Sequence, residues 1–179
     1  MKRLLLVAAL LGIVACSSER ESAPGGPPFP KIGSAAPNIA LPLFLDPVGR
    51  RATGSIVRLS DHRGEVVLLS FWSLSCAPCI TELPQLVAFA YAHSGPRVHV
   101  YGVLMDNSPA EGLVWLREHG YATLPMLADD GQQSHRLYYV HGYPQMYLIG
   151  PDGRVAGHCV GCLDSCERYA AKLDSLLAS

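Results

Sequence analysis

The sequence predicts an α/β fold, a mixed central sheet flanked by helices, and three observations carry that reading. Apolar patterns of strand and helix type alternate from residue 38 onward, with no internal repeat. One run, residues 65–72 (Glu-Val-Val-Leu-Leu-Ser-Phe-Trp), is nearly continuous in apolar side chains, as a strand covered on both faces must be. The chain then closes on a strand, a turn at Pro151-Asp152-Gly153, a return strand and a last helix.

Each element follows from its local pattern. Residues 39–45 and 55–59 are short strand candidates around a turn at Gly49-Arg50-Arg51. After the central strand, Ile80, Leu83, Val87 and Ala90 recur at spacings of three and four, which marks one face of a helix over about 76–93, with a kink expected at Pro84. A strand over 97–105, a helix over 110–119 and a shorter helix over 132–140 come next. Strands over 145–149 and 154–158 and a helix over about 163–177 complete the domain. If the turn at 151–153 is a tight hairpin, Pro144 stands opposite Gly161, and the return strand ends beside residue 144.

The chain's 179 residues suit one domain with a real core and exclude a second large catalytic domain. Hydrophobic residues make up 49% and charged residues 16%, so the chain is not disordered as a whole. A formal net charge of -1, with no Lys/Arg cluster, argues against a nucleic-acid partner. At the N-terminus, Lys2 and Arg3 precede an apolar run, residues 4–14, and Ala15, the order of a secretion signal. That run is shorter than the ~17–25 residues of a membrane-spanning helix. Ile13-Val14-Ala15-Cys16 resembles a bacterial lipobox, which implies cleavage before Cys16 and attachment of lipid to its thiol. An ordinary signal peptide or a short uncleaved anchor, with Cys16 incidental, is the alternative. Residues 1–15 are thus expected as a lipoprotein signal, 16–37 as a lipidated cysteine and a flexible Pro/Gly/Ser linker, and 38–179 as the folded domain. The expected location is the bacterial cell envelope, facing the periplasm and held to the membrane surface by lipid, inner or outer left open.

The chemistry concentrates at Ser75-Cys76-Ala77-Pro78-Cys79, where a short loop leaves the buried strand and a helix begins. Two intervening residues let the sulfurs close a small ring, and the helix N-terminus offers unpaired N–H groups and a positive dipole end to a thiolate. Cys76 is therefore expected as the exposed nucleophile with a lowered pKa, and Cys79, deeper in the helix, as the resolving thiol. Pro78 fits the first turn, where its missing N–H costs nothing. Half of a zinc site or a structural disulfide are the alternatives. No cofactor is implied, because both sulfurs belong to the chain.

The ordered motifs Phe71-Trp72-Ser73-Leu74-Ser75-Cys76-Ala77-Pro78-Cys79, Glu82-Leu83-Pro84, Gly142-Tyr143-Pro144 and Asp152-Gly153 resemble the thioredoxin-like, membrane-tethered thiol-disulfide oxidoreductases of the TlpA/ResA type. The resemblance covers roughly residues 32–177. It implies a thioredoxin fold with an N-terminal β-hairpin extension and a helical insertion around 109–140. It implies a cis bond before Pro144, with the Tyr143 backbone beside the sulfurs to hold a peptide. It also implies that Glu82 tunes the cysteines; a solvated helix carboxylate is the alternative. Trp72 is expected to pack beneath the active loop. The implied activity is reduction of specific protein disulfides, such as those of apocytochrome c or copper-site proteins, with a membrane thiol donor restoring the dithiol. Two departures stand out: Ser75 replaces a Trp usual before the first Cys, and Ser70 stands where thioredoxins have a buried Asp and these relatives often an Asn.

A second group, His158-Cys159-Val160-Gly161-Cys162-Leu163-Asp164-Ser165-Cys166, lies outside that resemblance. Three readings stay open for it: a structural disulfide (Cys159–Cys162 or Cys159–Cys166), a second redox pair relaying to the first, and a soft-metal site of His158, Cys159, Cys162 and Cys166. Cys166 also shares an apolar helical stripe with Tyr169, Ala170 and Leu173, which makes it a candidate core residue. His62, His93, His99, His119, His135 and His141 have no ligand spacing with one another and read as surface or core residues. Two other functions remain: a peroxiredoxin-like thiol peroxidase acting through Cys79, and a metal-delivery protein acting through the C-terminal cysteines.

Overall fold

Every residue of the strand Val66–Trp72 is buried, and the alternation of its side chains builds two cores, one on each face of the sheet. The computed structural model describes residues 29–46, 48–50, 55–106, 108–161 and 165–178. Along them run β1 (Ala40–Leu45), β2 (Ile56–Arg58), a 3-10 turn (Leu59–His62), β3 (Val66–Trp72), α1 (Ala77–His93), β4 (Val98–Leu104) and α2 (Pro109–Glu118). β5 (Met126–Ala128), α3 (Gln133–Tyr138), β6 (Gln145–Ile149), β7 (Val155–Val160) and α4 (Ser165–Leu177) follow.

Among the described residues the strands form one seven-stranded sheet in the order β2-β1-β5-β4-β3-β6-β7. β3 runs parallel to β4 and antiparallel to β6, so the sheet is mixed, as the alternating pattern predicts. Val66, Leu68 and Trp72 face a core shared with Leu83, Leu86 and Phe89 of α1 and with Tyr169 and Leu173 of α4. Val67, Leu69 and Phe71 face the other core, with Ile39, Leu59, Tyr138 and Tyr147. Polar caps set the helix starts: the Ser108 hydroxyl accepts the Glu111 amide before α2, and the Asp129 carboxylate accepts the Gln133 and Ser134 amides at 2.7 and 2.8 Å before α3. α1 continues through Pro84, which lies on its exposed side.

The hairpin of β1 and β2 is present, pairing Ala40 with Arg58 and Leu41 with Val57. The segment 109–140 holds a strand between its two helices. β5 has three residues, too few for a period to emerge from the sequence, yet it is fully buried and pairs with both β4 and β1. Residues 29–37, assigned to the linker by composition, lie against the domain. The Gly33 amide donates to the Val155 carbonyl at 2.8 Å, the Ala36 amide donates to the Gly153 carbonyl at 3.0 Å, and the Phe29 ring meets those of Tyr139, His141 and His158. β7 runs to Val160, two residues beyond its expected end, which carries Cys159 into the sheet.

At Gly157 the Tyr169 ring of α4 packs close against the β7 backbone. A Cβ there would stand 2.8 Å from the Tyr169 ring and 3.4 Å from Leu148 Cβ, both in the packed core. Gly157→Ala is expected to destabilise the chain by about 1–3 kcal/mol through overpacking. A lowered urea midpoint with an unchanged slope would register this.

Candidate active site

β3 delivers the chain to the carboxyl edge of the sheet, and the turn into α1 carries the two cysteines. A carboxylate from the neighbouring strand's end organises that turn. Asp106, just past β4, accepts the Ser73 hydroxyl at 3.0 Å and the Leu74 amide at 2.7 Å. The Ser73 hydroxyl oxygen accepts the Ser75 amide at 3.2 Å and lies 2.9 Å from the Ser75 hydroxyl. Trp72 pairs with Leu104 across the parallel strands, so the residues just past them meet at one edge. Asp106 escaped the sequence reading. The available signal was an acidic residue directly after a strand that borders the cysteine-bearing one.

Cys76 caps α1, its Sγ accepting the Cys79 amide at 3.2 Å. At that position a sulfur faces the unpaired amides and positive end of a helix, the surroundings that stabilise a thiolate. The two sulfurs are joined at 2.03 Å, with their Cα atoms 5.3 Å apart. Their access differs: Cys76 is half-buried, whereas Cys79 is 3% exposed. The peptide bond between Tyr143 and Pro144 is cis, as the motif implied.

Cys79, Glu82, Trp72, Ser70 and Pro144 line one small cavity with Leu83 and Leu86. Trp72 is buried beneath the turn, its ring 6.2 Å from that of Trp115. Tyr143 stands at the rim, and its phenol is held above its usual value by burial, reinforced by the carboxylates of Asp106 and Asp129. Glu82 is 2% exposed, which overturns the solvated alternative: the helix face that carries Cys79, Leu83 and Leu86 into the core carries Glu82 with it. Its charge reaches α4, where the Cys166 thiol is pushed up to about 12 by burial first and by Glu82 second. Burial likewise pushes the Tyr169 phenol up to about 12.

The C-terminal hairpin has the expected register. Gln145 pairs with Val160 and Met146 with Cys159, and the Gly161 amide donates to the Pro144 carbonyl at 2.7 Å. Cys159 is in a disulfide, and Cys166 is a buried free thiol. A Cys159–Cys166 bridge is therefore excluded; Cys166 instead packs among Tyr169 and Leu173, as its helical stripe suggested. Among the described residues, His158 does not join Cys159 and Cys166 in a soft-metal set, because neighbours on a strand point to opposite faces. His158 stacks on Tyr147 at 4.3 Å on one face, while Cys159 joins the core on the other with Cys166. Cys162 lies outside the described residues, as do Cys16 and the lipobox. Among the described residues, no helix is long and apolar enough to cross a membrane.

Residues 32–158 match the AhpC/TSA family. The thiol-disulfide oxidoreductase ResA of Bacillus subtilis is 31% identical over 132 residues, covering 73% of this chain and 68% of that protein. A crystal structure from Chlorobium tepidum, assigned as a thiol:disulfide interchange protein DsbE, superposes with a TM-score of 0.69 at 28% identity, over 82% of this chain and 98% of that one. The exposed lipoprotein thioredoxin of Streptococcus pneumoniae superposes with a TM-score of 0.61 at 25% identity, over 76% of this chain and all of that one. The fold is thus thioredoxin-like, the Cys-Ala-Pro-Cys pair stands at its carboxyl edge, and the chain belongs to the AhpC/TSA family as a thiol-disulfide oxidoreductase of the TlpA/ResA type.

Proposed function

We propose that the chain is a lipid-anchored disulfide reductase of the cell envelope that acts on specific proteins, with the cysteines of apocytochrome c or of a copper-site protein as its substrates. The observation that carries this reading is the Cys76–Cys79 disulfide at the start of α1, in which Cys76 is the more accessible sulfur. In the reduced chain the Cys76 thiolate attacks one sulfur of a substrate disulfide, and the other substrate sulfur leaves as a thiolate that takes up a proton. Cys79 then loses its proton and attacks Cys76 Sγ, releasing the second substrate thiol and closing the ring. Two electrons and two protons pass to the substrate. A membrane thiol donor returns both and reopens the ring.

The surrounding residues have roles in that sequence. Glu82, buried beside Cys79, holds the resolving thiol protonated by charge repulsion until it attacks, and accepts its proton at that step. The backbone before Pro144 holds the substrate peptide in extended form across the sulfurs, with Tyr143 at the rim. Trp72 supports the turn from below without touching substrate. The pair at Cys159 is structural, and Cys166 is a core residue.

Residues 1–15 direct export and are removed, Cys16 takes the lipid, and the chain from 16 onward tethers the domain to the membrane surface. The likeness to the lipoprotein thioredoxin of Streptococcus pneumoniae supports this anchor. Reduction, rather than oxidation, follows the ResA resemblance.

Substrate turnover, trapping and thiol reactivity check the proposal. A peptide with an oxidised Cys-x-x-Cys-His segment, the haem-attachment motif, should be reduced by the dithiol form of the chain. Cys79→Ser should arrest as a mixed disulfide at Cys76, and Cys76→Ser should fall to the buffer rate. Peptide reduction no faster than by glutathione, together with rapid hydrogen peroxide turnover at Cys79, would favour the peroxidase instead. Glu82→Gln removes the carboxylate beside Cys79, so alkylation of that thiol in the reduced chain should set in at lower pH than in the parent. Cys166, whose thiol is pushed up to about 12, should resist iodoacetamide near pH 8 in the native chain and react on unfolding in urea.

A further inference from the structure

At the end of the sheet opposite the cysteines, three ligand-type side chains converge whose sequence spacing kept them apart. His62 closes the 3-10 turn, Glu65 directly precedes β3, and His99 lies near the start of β4. The parallel pairing of β3 with β4 sets Val66 beside Val98 and Val67 beside His99, which brings the two histidines together at the mouth of both strands. No local spacing in the sequence joins these histidines, which taken singly are surface or core residues. Strand pairing joins them instead.

The geometry is close. His62 Nδ1 lies 2.7 Å and His99 Nε2 2.8 Å from the same Glu65 oxygen, Oε2, and the imidazole centroids are 4.3 Å apart. The His62 contact is a hydrogen bond. His99 Nε2, buried from solvent, meets the same carboxylate oxygen from the other strand. On the far side of His62, Nε2 lies 3.2 Å from the Tyr101 hydroxyl, which fixes the ring's orientation. The three side chains are 14%, 31% and 26% exposed, so the cluster is open to entry from solvent. Among the described residues this is the one group of three or more His, Cys, Asp or Glu whose donor atoms lie within 4.8 Å of one another.

We propose that His62, Glu65 and His99 form a binding site for a divalent cation of the zinc or copper class. Two imidazoles and one carboxylate suit these borderline metals better than magnesium or calcium, which favour oxygen ligands. His62 ligates through Nδ1, so its proton resides on Nε2 and is accepted by the Tyr101 hydroxyl oxygen, an outer-shell partner of the usual kind. His99 ligates through Nε2, the ring nitrogen that faces Glu65. Three protein ligands leave a fourth position to solvent. The cation clamps the 3-10 turn that follows the hairpin onto β3 and β4. It acts about 20 Å along β3 from the cysteines and takes no part in exchange.

The test is calorimetric titration of Zn2+ alone into the full chain with its disulfides closed and its remaining accessible thiols alkylated, so that sulfur cannot bind the metal. One saturable equivalent is expected. It should be lost in His62→Ala and His99→Ala, and Tyr101→Phe, which leaves all three ligands in place, should weaken it about 10-fold. Near-UV circular dichroism and closure of the Cys76–Cys79 pair report that each variant is folded, and Tyr101→Phe keeps the test decisive if a histidine variant is not. Absence of saturable binding by the parent chain, or binding of unchanged affinity in folded His99→Ala and in Tyr101→Phe, would overturn the site and leave a hydrogen-bonded cluster only.

Discussion

Burial of β3 along both faces is the constraint from which the remaining structure follows. Each fully buried Leu or Phe on it contributes about 1.5–3 kcal/mol of transfer free energy, an upper figure for a realistic unfolded chain. These side chains hold α1 and α4 to one face of the sheet, and the 3-10 turn and α3 to the other. A strand covered in this way must release the chain at the carboxyl edge, beside the end of its parallel neighbour β4. There the Asp106 carboxylate satisfies the hydroxyl and amide of the emerging turn, and the next residues cap α1. The cysteines stand where they do because a buried strand, a side-chain brace and a helix N-terminus share one corner.

The same packing gives the two sulfurs different access to solvent. The first occupies the cap, where the protein leaves it partly open and surrounds it with amide dipoles. The second is three residues on and points inward with Leu83 and Leu86. Glu82 rides on that inward face, so a carboxylate lines the same small cavity as the second sulfur. A single helical periodicity thereby leaves one sulfur partly open to solvent and places the other in the core with a buried carboxylate.

What could be read from the sequence follows the range of the interactions involved. The central strand, the helices and the hairpin register were legible because periodicity and turn chemistry are local, and the pairing of Met146 with Cys159 follows from the position of one turn. The cysteine pair was legible because its ring closes over two residues. β5 was not, since three residues carry no period and it is a strand only by virtue of β4 and β1 on its flanks. Asp106, the burial of Glu82 and the meeting of His62 with His99 were hidden for a related reason: each depends on which strands or helices become neighbours. The separation of His158 from Cys159 shows the converse, since adjacency in the sequence places strand residues on opposite faces.

The central claim, that Cys76 and Cys79 form a working dithiol-disulfide couple, is tested most directly by equilibrating the chain across a series of thiol redox buffers and mapping every cysteine by mass after acid quench and alkylation. The expected result is one reversible two-electron transition confined to Cys76 and Cys79 and absent from Cys76→Ser, with the Cys159 bond intact across the same range. A Cys76–Cys79 bond that does not open and close reversibly, or a transition carried by Cys159 instead, would contradict it.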